Sequence, residues 1–252
     1  MINSFKKIFL KILDKFNLVI INKNQRIIEL SNEDDKLIDL VANFSMTPKI
    51  RIYNLLQAMR YVKQKSIEGD FVECGVWKGG NLILFKNFID KELKDFNRSI
   101  FAYDTFDGMS EPDENDFDLN TNMSAKNLLD NDKNKSSNTW GICSLDEVKN
   151  NLSKNISNFD NIKFIKGKVE ETLENLNNLP EKISILRLDT DWYKSTKKEL
   201  EVLYKRVSPG GVIIIDDYGH WGGSKKAVDE FFDGKFVWMH YVDYACRLII
   251  KD

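Results

Sequence analysis

The chain has 252 residues, 42% of them hydrophobic and 30% charged, and a formal net charge of -2. That length suits one large domain, with or without appendages, and gives it a substantial core; the near balance of charge excludes a globally basic nucleic-acid binder. The three cysteines, Cys74, Cys143 and Cys246, are too few and too scattered for a disulfide framework or a CxxC zinc site. A reduced, cytoplasmic compartment is the simplest setting for them.

No apolar run reaches membrane-spanning length, and the N-terminus lacks the uninterrupted apolar core and small-residue cleavage site of a signal peptide. Instead Phe5, Ile8, Phe9, Ile12, Leu13 and Phe16 recur at helical spacing, with Lys6, Lys7, Lys11 and Lys15 on the other faces. Residues 1–36 are therefore expected to form an amphipathic helix and its connection. Such a helix docks on a membrane surface or partner, or packs on its own domain or a second subunit. A homodimer is the expected assembly.

Residues 37–252 read as one domain. Leu37 to Phe44 and Ile50 to Ile67 are predicted helices, interrupted by Met46-Thr47-Pro48, where Thr47 is a candidate cap and Pro48 a first-turn residue. Phe71-Val72-Glu73-Cys74 is a short strand, Gly75-Val76-Trp77-Lys78-Gly79-Gly80 a glycine-bearing turn, and Asn81 to Asp90 a helix. This order opens a doubly wound sheet, where glycines admit a ligand to the backbone and the helix start favours negative charge. It is not the G-x-G-x-x-G fingerprint, so close strand–helix packing is an equal explanation.

The next strand, Ile100-Phe101-Ala102-Tyr103, ends at Asp104. An acid there can accept from two ribose hydroxyls, or simply begin the turn that continues at Asp107-Gly108. Met109 to Trp140 is polar and without periodicity, the pattern of an active-site lid or of a solvated insertion, with a short helix expected near Ala125 to Leu129. Ser144 and Glu147 form a capping box for a further helix. Ile162 to Ile165 is the third strand, ending at Gly167-Lys168, and Glu170 to Leu176 the helix after it.

From Ile183 an apolar strand runs into Leu188-Asp189-Thr190-Asp191, followed by a charged helix and Ser208-Pro209-Gly210-Gly211. A second run, Val212 to Ile215, closes on Asp216-Asp217. Lys225 to Phe232 is helical, and Phe236 to Val242 with Cys246 to Ile250 form an antiparallel hairpin. The sum is a seven-stranded, mostly parallel α/β sheet with helices on both faces.

Asp189, Asp216 and Asp217 fall at the carboxyl ends of consecutive strands, where open sheets bind ligands. An all-carboxylate set suits magnesium or calcium, whereas zinc prefers His or Cys. Asp191 either faces into the same pocket as a general base or caps the following helix. His220 is placed to contact substrate or a ligand of the ion, and His240, in a strand, is expected to be packed.

Four stretches in order, Glu73 to Gly80, Tyr103 to Gly108, Leu186 to Thr196 and Gly210 through Gly222, resemble the macrocin O-methyltransferase (TylF-like) family of S-adenosylmethionine-dependent sugar methylating enzymes. The resemblance runs from about Met46 to Phe232 and implies a Rossmann-like class I methyltransferase fold. It implies Mg2+ on Asp189, Asp216 and Asp217, with Asp191 as base and His220 next in line. It also implies that Glu73, Gly75, Val76, Gly79 and Gly80 hold the methionine part of the cofactor, with Asp189 bordering it. Asp104 and Thr105 would take the ribose, Met46 and Thr47 would close over the cofactor, and Gly167 and Lys168 would lie near the adenine. The implied acceptor is a sugar, nucleotide-linked or part of a bacterial surface polysaccharide. Asp189-Thr190-Asp191 is also a DxD, the metal motif of nucleotide-sugar glycosyltransferases, but that reading leaves Glu73 to Gly80 and Asp216-Asp217 without a role.

Overall fold

The computed structural model describes residues 9–13, 15–16, 27–93, 98–132 and 138–252. The chain divides into two compact units, Met1–Asp35 and Lys36–Asp252. In the first, residues 9–13 are helical, and the expected helical part formed by Phe5, Lys6, Lys7 and Ile8 lies outside the described residues.

Seven strands form one sheet: β1 (Asp70–Cys74), β2 (Ile100–Asp104), β3 (Ile162–Lys166), β4 (Ile183–Leu188), β5 (Val207–Ile215), β6 (His240–Tyr241) and β7 (Arg247–Ile250). Their order is β3-β2-β1-β4-β5-β7-β6. The first five run parallel, and β7 pairs antiparallel with both β5 and β6. The central strands are apolar almost throughout because both faces are covered; all of β4 is buried, including Arg187.

Among the described residues from Asn32 onward the helices are α1 (Asn32–Ala42), α2 (Lys49–Gln64), α3 (Gly80–Glu92), α4 (Ala125–Asn131), α5 (Leu145–Ser153), α6 (Val169–Thr172), α7 (Tyr193–Leu203) and α8 (Gly222–Phe231). The chain first adds β2 and β3 on one side of β1, then returns to add β4 and β5 on the other. Parallel crossovers are right-handed, so this reversal puts the helices of the two halves on opposite faces. Accordingly α2 packs on β4, β5 and α3, while α7 packs on β4 and α8. The reversal opens a crevice between the carboxyl ends of β1 and β4, the position where such sheets take ligands.

Several local expectations are corrected. Thr47 does not cap α2: Pro48 occupies the cap, and the Thr47 hydroxyl accepts from Arg187 Nη2 at 3.0 Å, because a buried guanidinium must place all its donors. The helix expected over Glu170 to Leu176 is split into α6 and a 3-10 turn at Leu176–Asn178, whose backbone is diverted by the Asn175 side chain accepting from Asn177 N. The terminal hairpin keeps only two of the residues expected in its first strand, since β7 pairs with it at Leu248 and Arg247 alone. Phe236 is left 96% exposed, and His240 is exposed on the edge strand rather than packed.

The described residues of the stretch from Met109 to Trp140, 109–132 and 138–140, include a cover that packs on the domain. Ser124 caps α4, and Ala125 and Leu129 bury against Trp192 at the start of α7. Phe117 and Asp118 make short β-bridges to Ser124 and Trp221. The buried Asp116 carboxylate accepts from Tyr193 N at 2.8 Å. This close approach explains the paired glycines of α8. A Cβ at Gly223 would lie 1.8 Å from Asp116 Oδ1, and one at Gly222 would lie 2.5 Å from the Phe117 ring.

Candidate active site

One cavity of about 660 Å3 opens at the crevice, a volume suited to a cofactor and a small acceptor together. Its donor end is built from β1 and the turn after it. Glu73, the one charged residue of that strand's buried stretch, accepts through Oε1 from Asn81 Nδ2 at 2.8 Å and from Arg187 Nη1 at 2.9 Å. Its Oε2 is buried and has no partner among the described residues. Burial pushes the Glu73 carboxyl up to about 7 against the pull of Arg187. An unpartnered buried carboxylate oxygen on a cavity wall is what an ammonium group satisfies, so the donor set fits the amino-acid end of S-adenosylmethionine.

Gly75 has φ 88, and a Cβ there would lie 1.9 Å from the Asp189 carbonyl oxygen. Only glycine lets β1 and β4 part this closely, so its backbone reaches the cavity. Val76, Trp77 and Asn81 line the same wall. Gly79 and Gly80 do not; they admit Val148 of α5 and the carbonyls of Phe44 and Val41 instead. For these two the packing explanation holds.

Asp104 lines the cavity, but its carboxylate is largely occupied by its own surroundings. Oδ2 accepts from Val76 N at 2.6 Å and Trp77 N at 3.0 Å, and Oδ1 accepts from Phe106 N at 2.7 Å. It therefore ties the glycine turn to the end of β2. Thr105 braces that turn by donating to the Gly108 carbonyl at 2.6 Å. Met46, Thr47, Gly167 and Lys168 also reach the cavity.

At the acceptor end, Asp189, Asp216 and Asp217 each offer an oxygen within 4.8 Å of the others. Arg187 Nη1 donates to Asp189 Oδ2 at 2.6 Å and its Nη2 to Asp216 Oδ1 at 2.8 Å, while Arg51 Nη1 lies 2.5 Å from Asp216 Oδ2. Asp191 has φ 65, in the left-handed region that Asp tolerates better than most residues. The chain thus turns there instead of continuing as a strand, and the Asp191 carboxyl lies in the field of Asp189, Asp216 and Asp217, with the Trp221 side chain near enough to bear on its titration. Trp192, not Asp191, is the N-cap of α7.

Five acids, Glu73, Asp189, Asp191, Asp216 and Asp217, thus face two arginines, and one of those is shared with Asp243. The consequence is visible in their titration. Burial pushes Asp189 up to about 6 despite Arg187, and burial with the Asp189 charge pushes Asp191 up to about 7. Burial and three neighbouring carboxylates raise Asp217 well above the usual range. A hard divalent cation fits this oxygen set and this surplus of negative charge.

His220 lies on the cavity wall with Nε2 4.0 Å from Asp118 Oδ2, and burial lowers its pKa, which favours the neutral ring. Sequence reasoning missed Arg187, the cation that joins both ends of the site. Its only signal was a charged residue inside an otherwise apolar strand. Glu199, fully buried in α7 and accepting from Thr190 Oγ1 at 2.9 Å, was hidden within a charged helical stretch.

A twisted sheet of this order, with a carboxylate-lined cavity at its reversal point, defines a Rossmann-like class I methyltransferase fold. The solved O-methyltransferase NovP has the same fold, with a TM-score of 0.73 at 24% identity over 87% of this chain and 98% of its own. The calicheamicin methyltransferase CalS11 shares it at a TM-score of 0.56 and 19% identity, over 92% of this chain and 99% of its own. The model of the macrocin-O-methyltransferase (TylF) family matches residues 3–246, and the chain belongs to that family. Among its relatives, demethyldecarbamoylnovobiocin O-methyltransferase of Streptomyces niveus is 30% identical over 183 residues, 72% of this chain and 64% of the relative. Mycinamicin III 3''-O-methyltransferase of Micromonospora griseorubida is 30% identical over 184 residues, 73% of this chain and 68% of the relative. The chain thus spans less than two thirds of the first relative's length. The family match spans Asp189-Thr190-Asp191 together with Glu73 to Gly80 and Asp216-Asp217.

Proposed function

We propose that the protein methylates a sugar hydroxyl using S-adenosylmethionine, with Mg2+ held by Asp189, Asp216 and Asp217. One observation carries this reading: the unpartnered Oε2 of Glu73 and the Asp191–Asp217 pair open onto a single cavity. The relatives support it, since both are named as O-methyltransferases of antibiotic glycosides or their precursors. CalS11 is described as a TDP-rhamnose 3'-O-methyltransferase, which supports a nucleotide-linked sugar as one acceptor class. A bacterial surface glycan is the other that we propose.

Bound S-adenosylmethionine would supply a methyl group from its sulfonium, and bound Mg2+ would orient the acceptor hydroxyl and lower its pKa. Glu73 would bind the ammonium of the donor through Oε2. Asp191 would take the hydroxyl proton as the oxygen–methyl bond forms, and its raised pKa near 7 suits a base working at neutral pH. The cover from Met109 to Trp140 would exclude water, which strengthens every electrostatic contact inside.

Isothermal titration with S-adenosylhomocysteine, followed by transfer assays on TDP-rhamnose with Mg2+ or EDTA, tests the reading. Binding of the product cofactor and metal-dependent methyl transfer are expected. Absence of cofactor binding would overturn it.

A further inference from the structure

Asp118 and His220 face each other across the cavity wall from different parts of the chain. Asp118 sits in the cover, where its Oδ1 accepts from Asn120 N at 2.7 Å and Thr121 N at 2.9 Å. That Asx turn fixes the carboxylate and turns Oδ2 toward His220 Nε2, 4.0 Å away. The gap is too long for a hydrogen bond. Both side chains line the cavity and both are partly exposed to it, at 15% for Asp118 and 29% for His220.

The backbone locks the pair in place. Asp118 bridges to Trp221, and Leu119 N donates to the His220 carbonyl at 2.9 Å, so the cover and the start of α8 move as one piece here. The His220 Nδ1 is buried without a partner among the described residues. The proton is therefore assigned to Nε2, which faces an acceptor. The result is one fixed acceptor and one fixed donor, 4.0 Å apart and side by side, a spacing at which two neighbouring ligand oxygens can lie abreast of them.

The surroundings are aromatic. The His220 ring meets Trp221 at 4.8 Å and Tyr244 at 5.9 Å, both edge-on, and Tyr244 is 54% exposed at the cavity. Trp221 joins this corner to the chemistry, because its backbone pairs with Asp118 and it lines the same cavity as Asp191. A ligand held by Asp118 and His220 lies beside the carboxyl group assigned as base.

We propose that Asp118 and His220 are the specificity pair for the acceptor, reading two adjacent hydroxyls of a pyranose ring. One hydroxyl donates to Asp118 Oδ2, its neighbour accepts from His220 Nε2–H, and the carbon-bound hydrogens of the ring rest on Tyr244 and Trp221. This rests on the sugar-methylating reading above and adds to it the recognition element. A site that hydrogen-bonds a substrate hydroxyl rejects an analogue lacking it, because its own polar groups are then left unpaired.

Saturation-transfer NMR on the full chain loaded with S-adenosylhomocysteine tests this, with methyl α-L-rhamnopyranoside, its monodeoxy analogues and TDP-rhamnose as probes. Asp118→Asn keeps the Oδ1 acceptor of the Asx turn and changes only the group facing His220. His220→Phe keeps the ring contacts and removes both nitrogens. Either substitution is expected to weaken sugar binding roughly ten- to hundred-fold, with cofactor affinity and melting temperature unchanged. At least one monodeoxy analogue should fail on the wild type. Equal binding by wild type and both variants would overturn the proposal, as would no binding of any probe to the loaded wild type. Failure of S-adenosylhomocysteine to bind would instead overturn the methyltransferase reading itself.

Discussion

Arg187 and Glu73 form a buried ion pair at 2.9 Å, and the same guanidinium reaches Asp216 at 2.8 Å. One cation in β4 thereby joins the donor end of the cavity, on β1, to the acid cluster at the end of β5. Removing it leaves Glu73 and Asp189 without their cation and Asp216 with Arg51 alone. Arg187→Met is expected to destabilise the fold by about 3–5 kcal/mol, the usual cost of leaving a buried charge unpaired. Arg187→Lys should recover only part of this, since an ammonium cannot reproduce the planar fork. Chemical denaturation measures both, and a melting profile unchanged by Arg187→Met would show that the pair carries no such weight.

The Asp191 carboxyl must be ionised to accept a proton, and it is pushed up to about 7. Turnover is expected to rise with pH through about 7 and level above it. Asp191→Asn should lower kcat by roughly 10²–10⁴-fold and abolish that limb, while S-adenosylhomocysteine affinity is retained. A variant with the wild-type pH profile would move the base elsewhere, His220 being next.

Asp217 titrates well above the usual carboxylate range, so its protonated form stabilises the folded state and that contribution fades as pH rises through the folded pKa. Asp217→Asn should therefore melt at a higher temperature than wild type in EDTA at alkaline pH. With Mg2+ or Mn2+ the order should reverse, because only the wild type gains stability from a cation bound to the native state. Differential scanning fluorimetry reads both arms; no metal-induced rise in the wild type would remove Asp217 from the ligand set.

Glu199 behaves similarly, away from the cation site. Burial raises it from an ordinary 4.5 to about 8, so its stabilising contribution is complete below 4.5 and lost as pH climbs through 8. The melting temperature of wild type should fall between pH 6 and about 9 more steeply than that of Glu199→Gln, which can still accept from Thr190. Parallel melting curves for the two proteins would mean the carboxyl is not held neutral.

The strands were legible because a buried parallel sheet writes itself as apolar runs, and the acids closing Leu188 and Ile215 marked its ligand edge. The position of Asp191 relative to Asp217 was not, since it depends on one left-handed residue that no periodicity reports. The glycine turn was recognised, but the division between Gly75, which faces the cavity, and Gly79 and Gly80, which admit neighbouring helices, is a tertiary fact. Likewise the sequence leaves the Met109 to Trp140 stretch open between a lid and a solvated insertion, because residues such as Phe117, Ala125 and Leu129 are spaced by what they touch and not by a repeat. The strand expected at Phe236 to Val242 is a run of mostly apolar and aromatic residues, and β7 pairs with only His240 and Tyr241 of it.

Gly222 and Gly223 lack side chains because Phe117 and Asp116 occupy the space where a Cβ would stand. The cover and the first turn of α8, a hundred residues apart in sequence, are in that sense a single inherited part. A chimera that imports a relative's cover to change acceptor choice must import the matching start of α8 with it. Conversely, Gly223→Ala alone should lift the cover from Tyr193 and loosen the wall on which Asp118 is mounted, altering acceptor selection without touching any group that handles the methyl donor.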